Sequence, residues 1–384
     1  GGHSLLATRL VARIRDTLEK ELPLKTLFDH PTIAGQAHEL DATADAVASL
    51  PLLPRAPDSA VPLSASQQRL WILDQMEPGN PVYNIPWAIR LTGSINGAAL
   101  QAAVNELVRR HESLRTRFVV ADNSPVQLVQ PDVQITVNNL SLQNADEAQL
   151  QAELTRLTQT AFVLDSGPLL KITLIELNDS DHILHIVMHH IIGDAWSTDV
   201  LLRELAGFYN AACEGLQAKL PDLAVQFGDY ALWQQQRLQQ ADLQNQLDYW
   251  KEHLQGAPAV LDLPVDRPRP AIQTYNGAWH ELRLDKATTR ALKDLANSNN
   301  ATLYMVLLAA FNVLLHRYTA ATDIVVGTPI AGRQRTELDN LIGMFINTLS
   351  LRTQLDGNPS FSDLLLQVKT TALNAYANQE APFE

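Results

Sequence analysis

The stretch His182 to Ser197, HILHIVMHHIIGDAWS, closes an apolar run with two adjacent histidines and sets an aspartate four residues after the second. In a strand, successive side chains leave opposite faces. His182, Leu184, Ile186, Met188 and His190 then share one face, and Ile183, His185, Val187 and His189 the other. The two neighbouring imidazoles therefore cannot do the same job: one can look into a cleft while the other is packed inside. After the strand, GDAWS turns the chain, and Ser197 is placed to cap a helix whose apolar face runs Leu201, Leu205, Phe208. His190 and Asp194 thus fall on a tight strand-to-helix connection, a common seat for reactive groups held by a rigid scaffold. The plain alternative is a pair of core histidines and a turn aspartate. No metal is expected, because opposite-facing imidazoles do not chelate one ion and no further ligand stands at helical spacing. RHESLR, from Arg110, also departs from the zinc-protease pattern, since Arg115 stands where a second histidine is needed.

Around this stretch, strands alternate with helices. NIPWAIRLTG reads as a strand, GAALQAAVNELVRRHESL as an amphipathic helix, and TRFVVAD as another strand. A second body begins after a proline-rich stretch from Pro258 to Pro270, which disfavours helix and strand, and continues through the helix NATLYMVLLAAFNVLLHRY and the strand DIVVGTPI. Ahead of both bodies, Leu6, Leu10 and Ile14 fall on one helical face, and short helical pieces follow, broken at Pro23 and Pro31. Between them, DATADAVASLPLLPRAPDSA has small residues, prolines and no amphipathic period, which predicts a semi-extended linker. The expected order is a partial all-α domain at 1–41, a linker at 42–60, one lobe at 61–255 and a second at 256–384.

The 384 residues carry a formal net charge of −13 and a pI near 5.3, which argues against nucleic acid or an anionic membrane as partner. One cysteine, Cys213, excludes an internal disulfide. With no signal peptide and no apolar run long enough to span a bilayer, the expected compartment is the cytoplasm.

Read together, SASQQRLWIL at Ser64, RHESLRTRF at Arg110, HHIIGDAWS at His189, FGDYALWQ at Phe227, IGMFINTLSLR at Ile342 and NQEAPFE at Asn378 resemble, in order, the signature series of condensation domains in nonribosomal peptide synthetases. The resemblance runs from Val61 to Glu384. It implies a chloramphenicol-acetyltransferase-like α/β fold, two related lobes forming a V around a tunnel. The front of the chain resembles the second half of a peptidyl carrier domain, whose GGHSL carries 4′-phosphopantetheine on its serine, here Ser4. A phosphate ester is electrostatically favoured at a helix N-terminus. On this resemblance the carrier is incomplete at its front and the second lobe at its end.

The implied reaction is amide formation between a donor thioester and the α-amine of an acceptor aminoacyl thioester, both on carrier arms. His190 becomes the active histidine and His189 a structural one. Asp194 is expected to turn back and pair with Arg115, while Ala195, Ser197 and Asn347 are candidates for the tunnel lining, Asn347 bonding the substrate amide. Four positions depart from the family pattern: Ala195 for glycine, Ser66 for alanine, Phe227 for tyrosine and Glu380 for aspartate. Of these, Ala195 adds a methyl group near the expected thioester path. The implied partners are an upstream adenylation domain, downstream adenylation and acceptor carrier domains, and a phosphopantetheinyl transferase. Epimerases share the fold, but their carriers usually read GGDS where this chain has His3, which favours an L-configured donor. Heterocyclising relatives replace the histidines by aspartates. A non-catalytic recruitment domain of the same fold remains the alternative from another class.

Overall fold

The computed structural model describes residues 4–20, 22–42, 50–56 and 59–384. His3 and the linker residues 43–49 and 57–58 lie outside the described residues. Contacts divide the chain into two compact units. One comprises Leu50–Leu238, Glu337–Ile346 and Glu384; the other comprises Gly1–Ser49, Gln239–Thr336 and Asn347–Phe383.

Helices α1 (Ser4–Leu18), α2 (Leu24–Asp29) and α3 (Ile33–Ala42) open the chain, and Pro23 stands at the N-cap of α2 where its missing N–H costs nothing. Their small core consists of Leu22, Leu27 and Leu40 with Ala7, Val11 and Ile14. The inward stripe of α1 is therefore 7, 11 and 14, and Leu10, expected on the buried face, is exposed. Both stripes obey helical spacing, and only the partner decides between them.

The unit that carries the double histidine starts with β1 (Val61–Pro62) and α4 (Ala65–Met76), followed by β2 (Asn84–Thr92) and α5 (Gly97–Arg110). Strands β3 (Thr116–Ala121), β4 (Ser124–Val129) and β5 (Val137–Ser141) precede α6 (Glu147–Thr158), and β6 (Leu170–Asn178) and β7 (Asp181–His189) lead into α7 (Ala195–Cys213) and α8 (Phe227–Arg237). The main sheet has the order β2-β7-β6-β5, antiparallel except for the parallel β5–β6 pair; a smaller sheet has the order β1-β4-β3. Strand β7 lacks a polar face because both of its faces are covered. Leu184, Ile186 and Met188 enter the main core with Val104 and Leu107 of α5 and Leu201 and Leu205 of α7, while Ile183 packs with Leu150 of α6.

The other unit contains α9 (Ala241–Leu254), α10 (Lys286–Ser298), α11 (Leu303–Thr319), the hairpin-like pair β8 (Asp323–Ile330) and β9 (Asn347–Gln354), and α12 (Phe361–Ala377). Helix α9, which the sequence reading assigns to the first lobe, sits here: the Trp250 indole donates to the Asn378 carbonyl at 2.8 Å, and Arg352 donates to the carbonyls of His253 and Gln255 at 3.0 and 2.9 Å. The compact units part between Leu238 and Gln239 rather than after 255. The proline-rich stretch forms neither helix nor strand, in keeping with its composition. Leu24 and Phe28 of α2 pack against the α11–α12 core. Among the described residues, no single helix is long and apolar enough to cross a membrane.

Candidate active site

Strand β7 ends at His189, and the chain turns at once into a 3-10 turn, His190–Ile192. His190 therefore leaves the strand, and its side-chain direction is set by the turn rather than by strand alternation. The two imidazoles nevertheless differ in burial. His189 is 3% exposed, paired across the sheet with Asn84 and flanked edge-on by the rings of Tyr83 and Phe162 at 6.4 and 6.2 Å. Its Nδ1 accepts the Ile191 backbone N–H at 3.2 Å, which requires the neutral ring with its proton on Nε2. Burial, and secondarily the neighbouring His190, lowers its pKa from 6.5 to about 4.

His190 is only half-buried. Its Nδ1 is buried with no hydrogen-bond partner among the described residues. No described carboxylate stands behind the ring, so the arrangement is not a catalytic triad.

Support for the turn comes from several directions. The Ile191 carbonyl accepts from Gln67 Nε2 at 3.0 Å, and Gln67 is itself fixed in a capping box with Ser64 at the start of α4. Gly193 packs closely on the end of the strand: a Cβ there would lie 2.3 Å from the Met188 methyl, which would have to shift. Asp194 caps α7. Its Oδ1 accepts from the Ser197 backbone N–H at 2.8 Å and the Ser197 hydroxyl at 2.7 Å, and its Oδ2 accepts the Phe345 N–H at 3.0 Å.

Three expectations for this region are corrected. The Asp194–Arg115 ion pair does not form: Arg115 donates to the Gln130 carbonyl at 2.8 Å and lies 3.9 Å from Glu112, because it stands at the entry to β3 beside the end of β4. Ser197 is not the cap but the third residue of the helix; it is 0% exposed, its hydroxyl shared between Asp194 and the Gly343 backbone, so it lines no channel. Asn347 has no spare valence for a substrate amide. Its amide donates to the carbonyls of Gln379 and Ala381 at 3.0 and 2.8 Å, and its oxygen accepts from the N–H groups of Thr348 and Phe383 at 2.8 and 3.0 Å. Those four bonds exhaust a carboxamide. Ala195 is exposed at the first position of α7 and keeps a negative φ, so its methyl imposes no backbone strain.

Gln67, Gly343 and Phe345 are the supporting residues that the sequence reading missed. Segment Glu337–Ile346 is stitched into the same unit along its length. The Trp196 indole donates to the Asp339 carbonyl at 2.9 Å, and the Ser113 and Ser66 hydroxyls donate to the Ile342 and Ile346 carbonyls at 2.8 Å each. Gly343 lies so close to Phe227 that a Cβ would fall 1.9 Å from the ring. Four of the quoted sequence phrases, those at Ser64, Arg110, His189 and Phe227, thus converge on the fifth at Ile342.

A family model described as "Condensation domain" matches residues 58–384. The chain belongs to that family. The model "Phosphopantetheine attachment site" matches residues 1–40 ahead of this condensation domain. A linear gramicidin synthase of Brevibacillus parabrevis is 44% identical over the whole chain, and the dimodular nonribosomal peptide synthase of Bacillus subtilis 42%; the chain spans 5% and 16% of their respective lengths. Among solved structures, the X-domain from teicoplanin biosynthesis in complex with OxyB superposes with a TM-score of 0.80 at 31% identity, covering 88% of this chain and 74% of that one. These matches make the chain a carrier-preceded condensation domain of the nonribosomal peptide synthetases, a family of amide-bond-forming acyltransferases with a mixed α/β, chloramphenicol-acetyltransferase-like fold. The carrier front fits its cofactor: α1 begins at Ser4 and has no acidic residue in its first turn, which suits a phosphodiester at the positive end of the helix dipole.

Proposed function

We propose that this condensation domain joins a donor aminoacyl or peptidyl thioester to the α-amine of an acceptor aminoacyl thioester, with His190 as the residue that meets the amine. Ser4 is the residue that holds 4′-phosphopantetheine, installed by a phosphopantetheinyl transferase, and the bound group supplies the donor acyl as a reactive thioester. Adenylation domains on either side and an acceptor carrier downstream complete a cytoplasmic assembly line. His3 in the carrier favours an L-configured donor over epimerisation.

The observation that carries the reading is the contrast within the pair: His189 is sealed, with its Nδ1 accepting from Ile191, while His190 is only half-buried and its Nδ1 has no partner among the described residues. In the reaction the amine nitrogen bonds to the donor carbonyl carbon, the C–S bond breaks, and the amine proton ends on the departing sulfur. An α-amine of pKa about 8 is partly free near neutrality, so strong base catalysis is not needed. A histidine that must become a cation benefits from an acceptor at its second nitrogen, and Nδ1 of His190 has none among the described residues. That favours orientation of the amine over full proton abstraction. Holding two tethered groups in line can lower a barrier by about 7–11 kcal/mol in favourable cases.

The test is single-turnover peptide formation with both carriers loaded, comparing wild type with His190→Ala. A loss of rate with preserved fold is expected; an unchanged rate and yield would reject the role of His190. A recruitment role is the second reading, favoured by the likeness to the X-domain solved in complex with OxyB. It predicts no amide product from the wild type.

A further inference from the structure

Two buried glutamines meet in the unit that carries the histidines, and the second lies outside every signature phrase. Gln67, in the first turn of α4, is 1% exposed, and Gln127, in β4, is 6% exposed. Gln127 is paired across the small sheet with Val61 and Phe118, both buried and apolar. A carboxamide in such surroundings is costly unless its polar atoms are matched. Here they are matched in series. Gln127 Nε2 donates to the Pro62 carbonyl at 2.7 Å, and Gln127 Oε1 accepts from Gln67 Nε2 at 3.4 Å, the longest link of the series. Gln67 Nε2 also donates to the Ile191 carbonyl at 3.0 Å, while its Oε1 accepts the Ser64 N–H at 3.0 Å. The ends of the series fix the direction of both groups. Turning Gln127 over would set oxygen against the Pro62 carbonyl, and turning Gln67 over would set oxygen against the Ile191 carbonyl and nitrogen against the Ser64 N–H.

We propose that Gln127 is a positioning residue for amide formation, acting through Gln67 on the turn that carries His190. The step to His190 rests on the condensation reading above; the bridge between the glutamines does not. Ile191 follows His190 directly, and both of its backbone groups are held: the N–H by His189 Nδ1 and the carbonyl by Gln67. With the peptide groups on either side of Ile191 fixed, the backbone of His190 cannot rotate to swing its ring away. Gln127 holds Gln67 from behind, and it also holds Pro62, two residues ahead of the Ser64 N-cap, so that the entry to α4 and the carboxamide that α4 projects are set together. Such a pair adds little net stability over apolar groups of the same shape. What it adds is direction.

Gln127→Met keeps the length of the side chain and removes both bonds. Gln127→Glu keeps them, because a carboxyl this buried stays neutral, accepting from Gln67 and donating to Pro62. Single-turnover amide formation in the enclosing synthetase, with both carriers loaded and rates taken per folded molecule, is the first readout. A displacement of 1 Å can cost about 100-fold, so a fraction of that in the Met variant should cost about 10-fold, with the Glu variant close to wild type. Gln67→Met and the double variant Gln127→Met/Gln67→Met should be equally slow, and Gln127→Met should cost nothing further in a His190→Ala background. Losses that multiply in either combination, a Met variant as fast as wild type, or a Glu variant as slow as Met overturns the positioning role. The second readout needs no activity and no variant: exchange of the Gln67 side-chain amide protons in the 384-residue chain, followed by NMR. Protection is expected in the wild type and the Glu variant, with fast exchange in the Met variant; fast exchange in the wild type overturns the bridge. Protected Gln67 protons with no amide product from the wild type leave the bridge standing and refute the condensation reading instead.

Discussion

Acidification exposes the cost of keeping His189 neutral. Its ring is locked as an acceptor for the Ile191 N–H and sealed by Tyr83 and Phe162, and its pKa falls from 6.5 to about 4. Between those two values the unfolded chain binds a proton that the folded one does not, so stability is complete above about pH 6.5 and declines as pH falls. The loss is about 2–3 kcal/mol near pH 4.5 and levels off once the folded ring also titrates. His189→Asn is the matched control, because its Oδ1 takes the place of Nδ1 in accepting from Ile191 and carries no proton. Guanidinium unfolding of both proteins, from about pH 7.5 to about pH 4.5, should show the wild type losing about 2–3 kcal/mol more than the variant. His185, also lowered by burial, titrates in both proteins and cancels in the difference. Parallel pH profiles for the two proteins would refute the assignment of His189 as the sealed acceptor.

Asp194→Ala removes a helix cap and leaves the Phe345 N–H without its acceptor, so unfolding should be easier by about 2–4 kcal/mol, measured by denaturant midpoint. Asn347→Ala should lower stability by about 2–3 kcal/mol while the rate per folded molecule is retained; a rate loss at unchanged stability would mean that Asn347 touches substrate. Gly343→Ala drives a methyl into the Phe227 ring and should cost about 1–3 kcal/mol or more, whereas Ala195→Gly, at an exposed helix start, should cost at most about 1 kcal/mol and leave turnover unchanged.

Where local chemistry decided the outcome, the sequence was a reliable guide. The strand DIVVGTPI is β8 as read, the apolar stripe Leu201, Leu205, Phe208 of α7 is buried, and the prolines after Pro258 do break regular structure. It misled where a partner chosen from afar decided. Leu10 and Val11 offer equally spaced stripes on α1, and only the packing of α2 and α3 selects Val11. Arg115 and Asp194 are a plausible ion pair by charge, but a helix cap needs an acceptor at that point and Asp194 supplies it. Gln67 looks like an ordinary surface residue of α4 until the Ile191 carbonyl, 124 positions away, is brought against its side chain. No periodicity in the sequence encodes such a meeting.

The distribution of hydrogen bonds also explains why so many polar signature residues surround so little reactive machinery. Asp194, Ser197, Ser113, Ser66 and Trp196 all make hydrogen bonds to Glu337–Ile346 or to the start of α7, and His111 and Arg110 both meet Glu204 of α7, at 2.8 and 3.0 Å. Each bond restricts where the β7–α7 turn can stand, and none supplies a proton relay to His190. A reaction between a free amine and a thioester needs a small chemical assist and an accurate approach, and accuracy is what a braced turn provides. Loss of a brace should therefore act on the rate through the placement of His190: Gln67→Ala, remote from any reacting atom, should slow amide formation by a common factor at every pH. A change in the shape of the pH profile would instead show that the turn carries a proton-transfer function that its present partners do not provide.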